Sequence, residues 1–311
     1  MKINLTNIKK AKKLLKSNEC VAIPTETVYG LAGNAYSDIA CKKIFTLKKR
    51  PKNNPLIVHY HDLKQLNNDC NYNDSFLKLY KKFCPGPITF ILNLKKNTKI
   101  SKIATNYKKT LAIRFPNHKI TKRLLKIIDF PLAAPSANLS SKVSAVTSSD
   151  VREDFGKKIK YVLEGGKSSL GLESTIIDLR NKPKILRLGS MEISIIKNAL
   201  KKKIYLNNNP PKIYSPGQLK LHYSPGIPIR LNAKKSRINE AYLLIKKKKK
   251  TQINHFFLSK NGNLKEAAKN LYSLLRKIKK DNYRSIAVDK IPNKGIGRTI
   301  NDRLIRAAKF R

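Results

Sequence analysis

The chain has 311 residues, 41% of them hydrophobic, and its 67 Lys+Arg against 19 Asp+Glu give a formal charge of +48. That apolar share supports real cores and excludes wholesale disorder, and the length suits one large domain or two ordinary ones. No run of eighteen apolar residues occurs, which excludes a membrane-spanning helix.

The charge by itself points to nucleic acid or an anionic membrane. Its make-up argues otherwise. Fourteen of the basic residues are Arg and 53 are Lys, and Asn reaches 29. Lys and Asn at permissive surface positions are what an A/T-rich coding sequence supplies, whereas a dedicated phosphate-binding surface mixes in more Arg. Compositional background therefore ranks ahead of an evolved RNA surface. The basic N-terminus lacks the apolar stretch and cleavage site of a secretory signal. Cys20, Cys41, Cys70 and Cys84 contain no C-x-x-C pair, so reduced thiols in a cytoplasmic protein are expected, with Cys20 and Cys41 acting as small hydrophobes.

Along the chain, helix- and strand-like segments alternate. Ile8, Ala11, Leu14 and Leu15 form a helical stripe over 6–17, and 20–23 is a buried strand ended by Pro24. A helix is predicted over 37–48, opening at Ser37, with Ile39, Ala40, Ile44, Phe45 and Leu47 on its inner side. Strands are predicted at 56–60, 88–94, 111–115, 131–134, 161–164, 175–179 and 184–188, and helices at 75–83, 118–128 and 191–202. Such alternation implies an α/β fold, a sheet covered by helices. Five of the fifteen prolines fall in 205–228, which reads as a linker that packs on something, because it also holds Tyr214, Leu219, Leu221, His222 and Tyr223. Beyond it a strand (228–231), helix (235–247), strand (253–258), helix (263–280), strand (285–289) and helix (299–309) predict a small open parallel sheet of three βα repeats.

Two familiar patterns fail. Gly166-Lys167-Ser168 resembles a P-loop end, but Tyr161 stands where the motif needs its first Gly. His59 and His61 share a strand face without the matched carboxylate or Cys that a metal needs. The informative feature is polar chemistry at strand ends, where open α/β sheets place ligands. Pro24-Thr25-Glu26-Thr27 follows the first strand, Lys48-Lys49-Arg50-Pro51 and Asn53-Asn54-Pro55 enclose a stiff loop, and Ala134-Pro135-Ser136-Ala137-Asn138 follows another strand. Glu173-Ser174 opens a strand, Ser144 and Arg187 lie near others, and Arg114 sits among apolar residues. A guanidinium there needs a partner, either a protein carboxylate or an anionic ligand. Thr, Ser, Asn, Lys and Arg converging from several elements suit an anionic ligand such as a nucleotide.

PTETVYGL (24–31), PGPITFIL (85–92), TLAIRFP (110–116), AAPSANLS (133–140), GLESTI (171–176) and SPGQLKLHYSP (215–225) together resemble the threonylcarbamoyl-AMP synthase family, in its two-domain form. Lys49 departs from the Gly that the family often has there. The resemblance implies a YrdC-like twisted mixed sheet with flanking helices over 1–205, a linker or lid over 206–225, and a small Rossmann-like three-layer βαβαβα domain over 226–311. It implies formation of threonylcarbamoyl-AMP and pyrophosphate from L-threonine, bicarbonate and ATP. The product would serve a separate tRNA threonylcarbamoyl transferase that modifies adenosine 37.

Carried over residue by residue, Thr27, His59, Arg114, Ala134 and Ser174 would form the threonine pocket, and Lys48, Arg50, Asn54, Thr110, Ser136, Ser144 and Arg187 would face ATP. Lys220, His222 and Tyr223 would close over the nucleotide. Mg²⁺ would arrive with ATP, with no side-chain cage for it. At most a weak direct contact with tRNA is expected. The runner-up readings are a hydrogenase-maturation carbamoyltransferase, whose Cys-pair zinc modules are missing here, and a plain RNA-binding module.

Overall fold

The computed structural model describes residues 4–208 and 222–309. In chain order the elements are α1 (Leu5–Lys16), β1 (Val21–Ile23), β2 (Gly30–Asn34), α2 (Asp38–Lys48), β3 (Ile57–His59), α3 (Leu63–Leu66), β4 (Cys70–Asn71), α4 (Asp74–Phe83) and β5 (Ile88–Leu94). There follow α5 (Lys102–Thr105), β6 (Thr110–Arg114), α6 (Lys119–Ile127), β7 (Leu132–Ala133), α7 (Ser148–Phe155), β8 (Tyr161–Val162), β9 (Thr175–Asp178), β10 (Lys184–Arg187), α8 (Ile193–Leu200) and β11 (Tyr205–Leu206). The remainder comprises β12 (Ile229–Arg230), β13 (Glu240–Lys246), β14 (His255–Ser259), α9 (Leu264–Lys280), β15 (Ser285–Val288) and α10 (Gly297–Ala307).

The strands through β11 form one mixed sheet in the order β11-β10-β9-β5-β6-β3-β7-β2-β1-β8, with β4 paired to β5. Alternation along its strands separates two faces. Leu111 and Ile113 of β6, with Phe90 of β5 and Val58 of β3, face the main core beneath α2, α4 and α8. Ala112, Ile57, Ile91, Ile176 and Leu186 form a small apolar patch on the other face. α1 and α6 cover a third cluster through Ile8, Ala11, Leu15, Leu124 and Leu125. Cys20, Cys41 and Cys70 are buried free thiols, which fits the reading of Cys20 and Cys41 as small hydrophobes.

Helix starts follow local chemistry. The side chain of Ser37 accepts from Ala40 N, and Thr147 with Asp150 forms a reciprocal capping box on α7. α2 begins where the sequence placed it, but Ile39 is 59% exposed rather than on its inner side.

The C-terminal region departs from the predicted order. Residues 240–246, read as helix, are the strand β13, so the region is not βαβαβα. Its sheet has the order β12-β15-β13-β14, with every pair parallel. Ala241 to Leu244 are buried on both faces of that sheet, so they form a continuous apolar run with no strand-like alternation. α9 and α10 share one core with Ala241, Leu243, Phe256 and Leu258, while Tyr242, Leu244 and Ala287 form a second cluster that holds no helix residue among the described residues. The region is therefore two-layered rather than three-layered.

The core shared by α9 and α10 also takes in Val28, Val143, Val146 and Leu172 from the larger sheet's loops. Gly171 permits the approach: its φ is +73°, and a Cβ there would lie 2.4 Å from the Lys269 carbonyl oxygen in α9.

Candidate active site

Strand register builds the site. Arg187 pairs with Ile176, Ile176 with Thr89, Thr89 with Arg114, and Arg114 with His59. Residues opposite each other across strands share a face. Arg187, Thr89, Arg114 and His59 thus stand in one row beside the apolar patch. Loops after β1, α2 and β7 and before β9 close around that row. They border a cavity lined by residues that include Thr25, Thr27, Tyr29, Arg50, Ser136, Glu173 and Ser174.

At one end, Arg114 is 4% exposed. Its Nη1 donates to Thr27 Oγ1 at 2.8 Å, and its Nε lies 3.4 Å from the Gly86 carbonyl oxygen. Its Nη2 sits 2.7 Å from Glu26 Oε1, an ion pair outside hydrogen-bonding angles. The protein-carboxylate partner anticipated for this guanidinium is therefore Glu26, whose Oε2 also accepts from Asn117 N. A guanidinium has five N–H donors, so these contacts leave others for an anion in the cavity. His59 is buried, its Nδ1 has no partner, and burial followed by the neighbouring Arg114 holds its pKa well below the usual range.

At the other end, Arg187 donates from Nε and Nη2 to the Ser174 carbonyl and from Nη2 to Ser174 Oγ. Ser174 Oγ lies 2.7 Å from Thr89 Oγ1. Gly189 lets this strand end approach closely, since a Cβ there would lie 2.2 Å from Thr175 N. The Arg50 side chain donates to Asn54 O, Asn54 Oδ1 and Pro55 O. Burial, then repulsion from Arg187, brings its pKa down to about 9. Lys48 donates to the carbonyls of Ser136 and Asn138, and burial pulls its pKa well below normal.

Of the residues named from the sequence, Thr27, His59, Arg114, Ala134, Ser174, Arg50, Ser136, Arg187, His222 and Tyr223 line the cavity. Lys48 and Asn54 stand behind it and hold the loops that carry Ser136 and Arg50. Ser144 is buried and donates to Glu173 Oε1 at 2.6 Å. Thr110 begins β6, at the far end of the strand from Arg114, and does not line the cavity. Lys220 lies outside the described residues.

His222 and Tyr223 cover the cavity. Their segment is tied down where Ser224 N donates to Ser141 O and Val143 N donates to Ser224 O. Tyr223 is 1% exposed, its hydroxyl has no partner among the described residues, and burial pushes its pKa up to about 12.

Sequence reasoning missed Glu173 as a lining residue, and with it Tyr272 and Arg303, which reach it from α9 and α10. GLESTI carried the Glu173 signal. Nothing in the sequence linked α9 or α10 to it, because those contacts span 99 and 130 residues.

A family model described as telomere recombination matches residues 13–189, and one described as threonylcarbamoyl-AMP synthase, C-terminal domain, matches 188–309. The chain is 32% identical to the threonylcarbamoyl-AMP synthase of Pyrococcus abyssi, covering 98% of this chain and 94% of that one. A threonylcarbamoyl-AMP synthase of Vibrio vulnificus is 30% identical over 60% of this chain and 100% of its own length. The crystal structure of P. abyssi Sua5 complexed with L-threonine superposes with a TM-score of 0.90 at 30% identity, covering 100% of this chain and 96% of that one. With both family models matched end to end and a full-length relative sharing its architecture, this chain belongs to the threonylcarbamoyl-AMP synthase family.

Proposed function

We propose that the chain joins L-threonine, bicarbonate and ATP into threonylcarbamoyl-AMP, releasing pyrophosphate. The observation that carries this reading is the row from His59 through Arg114 and Thr89 to Arg187, set in one cavity with Arg50. Arg114 is the anchor for the threonine carboxylate, flanked by Thr27, Ala134 and Ser174. His59, held neutral with an open Nδ1, faces the ammonium group and can accept a hydrogen bond from it, and the proton that the amine must lose passes to solvent. The deprotonated amine attacks the carbon of bicarbonate, water departs, and the threonine nitrogen carries a carboxylate. An oxygen of that carboxylate attacks the α-phosphorus of ATP, and pyrophosphate leaves. Neither step calls for a protein nucleophile.

Arg50, Arg187 and Ser136 take the nucleotide side, where fixed cations stabilise charge on the phosphates as the transition state forms. We place Mg²⁺ with the triphosphate rather than on the protein. Glu173, the carboxylate that lines the cavity, has both oxygens engaged by Ser144, Tyr272 and Arg303. In this reading 1–205 carries the chemistry, 206–225 covers it through His222 and Tyr223, and 226–311 docks against it. The labile product would pass to a separate tRNA threonylcarbamoyl transferase.

The test is ATP–pyrophosphate exchange. It should require both threonine and bicarbonate. Exchange that proceeds equally without threonine would contradict the reading.

A further inference from the structure

Glu173 lines the cavity yet is held mainly from the C-terminal region. Tyr272 of α9 donates to Glu173 Oε2 at 2.9 Å and reaches Oε1 at 3.1 Å. Arg303 of α10 donates from Nε to Oε2 at 3.0 Å. Arg303 is itself 1% exposed, and its guanidinium carbon lies 4.6 Å from the centroid of the Tyr223 ring. Tyr223 in turn stacks on Tyr272 at 5.8 Å and 17°. Asp302 and the Leu188 carbonyl take further donors of Arg303 and fix its plane. One arginine thus touches a wall carboxylate and the ring that covers the cavity. The Vibrio relative carries the same name although its whole length matches only 60% of this chain.

We propose that Arg303 is a positioning residue for the nucleotide side of the site: it compensates Glu173, which would otherwise repel a polyphosphate, and it seats Tyr223 over the cavity. The proposal rests on the reading that this cavity takes ATP. Electrostatics supports a selective effect. Arg187, assigned to the nucleotide, lies near enough to Glu173 for their charges to interact, while Arg114 answers to a different carboxylate, Glu26. A polyanion entering beside an uncompensated Glu173 meets like charge in a poorly screened site. Threonine at the Arg114 end does not.

The test compares Arg303→Met, Glu173→Gln/Arg303→Met and Tyr272→Phe in the full chain. Michaelis constants are measured separately for ATP and threonine, and thermal melting is recorded in parallel. Arg303→Met should raise the ATP constant about tenfold or more, as loss of one partner of a buried charge pair does, and move the threonine constant less than about twofold. Removing both charges in the double variant should recover most of the ATP affinity, since the repelling carboxylate is gone. Tyr272→Phe, a milder change that keeps the ring stack, should raise the ATP constant a few-fold. A folded Arg303→Met with an unchanged ATP constant would overturn the proposal. So would equal rises for both substrates with no recovery in the double variant, which is the signature of a merely structural contact. If Arg303→Met does not fold, an unchanged ATP constant in Tyr272→Phe, together with a double variant no better than a poor ATP binder, overturns it as well. A wild-type chain that makes no threonylcarbamoyl-AMP refutes the functional reading instead, and calorimetric titration with ATP alone then tests the Arg303 contact directly.

Discussion

Arg114→Met separates what this guanidinium does for the fold from what it does for threonine. Arg114 and Glu26 are 4% and 7% exposed, and their charged atoms lie 2.7 Å apart. Without the guanidinium, Glu26 keeps the N–H of Asn117 but loses its counter-charge. Orphaning a buried charge in this way costs about 3–5 kcal/mol of stability. If the remaining donors of Arg114 grip the threonine carboxylate, the same change also removes a charge-assisted contact of about 2–5 kcal/mol, or roughly thirty- to several-thousand-fold in affinity. Glu26→Gln/Arg114→Met distinguishes the two effects. With both charges gone, urea unfolding should show most of the stability restored, while threonine-dependent ATP–pyrophosphate exchange stays at the level of the single variant. A double variant that regains exchange would show that Arg114 serves only to neutralise Glu26, and the assignment to threonine would fall.

Three further outcomes follow from the same geometry. Burial, aided by Arg114 at His59 and by Arg50 at His222, holds both imidazoles neutral in the folded chain. Below the unfolded value of about 6.5 the unfolded chain takes up protons that these groups refuse, so stability is lost as pH falls, by at most about 1.4 kcal/mol per pH unit for each. Urea midpoints from pH 7 to 5 should therefore fall less steeply in His59→Gln than in wild type, and an identical slope would refute the buried-neutral assignment. Tyr223→Phe removes a buried hydroxyl that has no partner among the described residues. It should leave the melting temperature unchanged and raise the Michaelis constant for ATP a few-fold, whereas unchanged ATP kinetics would remove that hydroxyl from the site. Gly171→Ala places a Cβ 2.4 Å from the α9 backbone at a φ of +73°. It should cost about 1–3 kcal/mol and expose the interface to trypsin, and a normal melting curve would contradict the close docking of α9.

How much the sequence reveals differs from element to element, for identifiable reasons. Arg114, Ser174 and Arg187 were visible because polar groups at the ends of buried strands need a function or a partner, whereas His59 came only from the family resemblance. Their common row was not visible, because register between β3, β6, β5, β9 and β10 depends on long-range pairing. β2 was missed because Gly30-Leu31-Ala32-Gly33-Asn34 has turn-like composition, yet its glycines lie where neighbours crowd in: a Cβ on Gly33 would meet Ile44 at 3.2 Å. β13 was read as helix because an apolar run buried on both faces shows no strand period. Thr110 was assigned by motif, and it begins β6 where Arg114 ends it. The contacts of Arg303 and Tyr272 depend on how the C-terminal region docks, which no local pattern records.

The charge also resolves into two populations. Arg50, Arg114 and Arg187 line the cavity, and Lys48 and Arg303 are buried behind it. The lysine run 246–250 ends in exposed residues. The cations that meet the cavity are thus mostly the residue type suited to holding anions in a fixed plane, and the lysine excess lies elsewhere.

The central claim is the reaction itself. Purified protein given L-threonine, bicarbonate and ATP should yield threonylcarbamoyl-AMP by mass spectrometry, with one pyrophosphate for each product and nothing when any of the three is left out. Conversion of ATP with no threonylcarbamoyl adduct, or an adduct that forms without bicarbonate, would contradict the account.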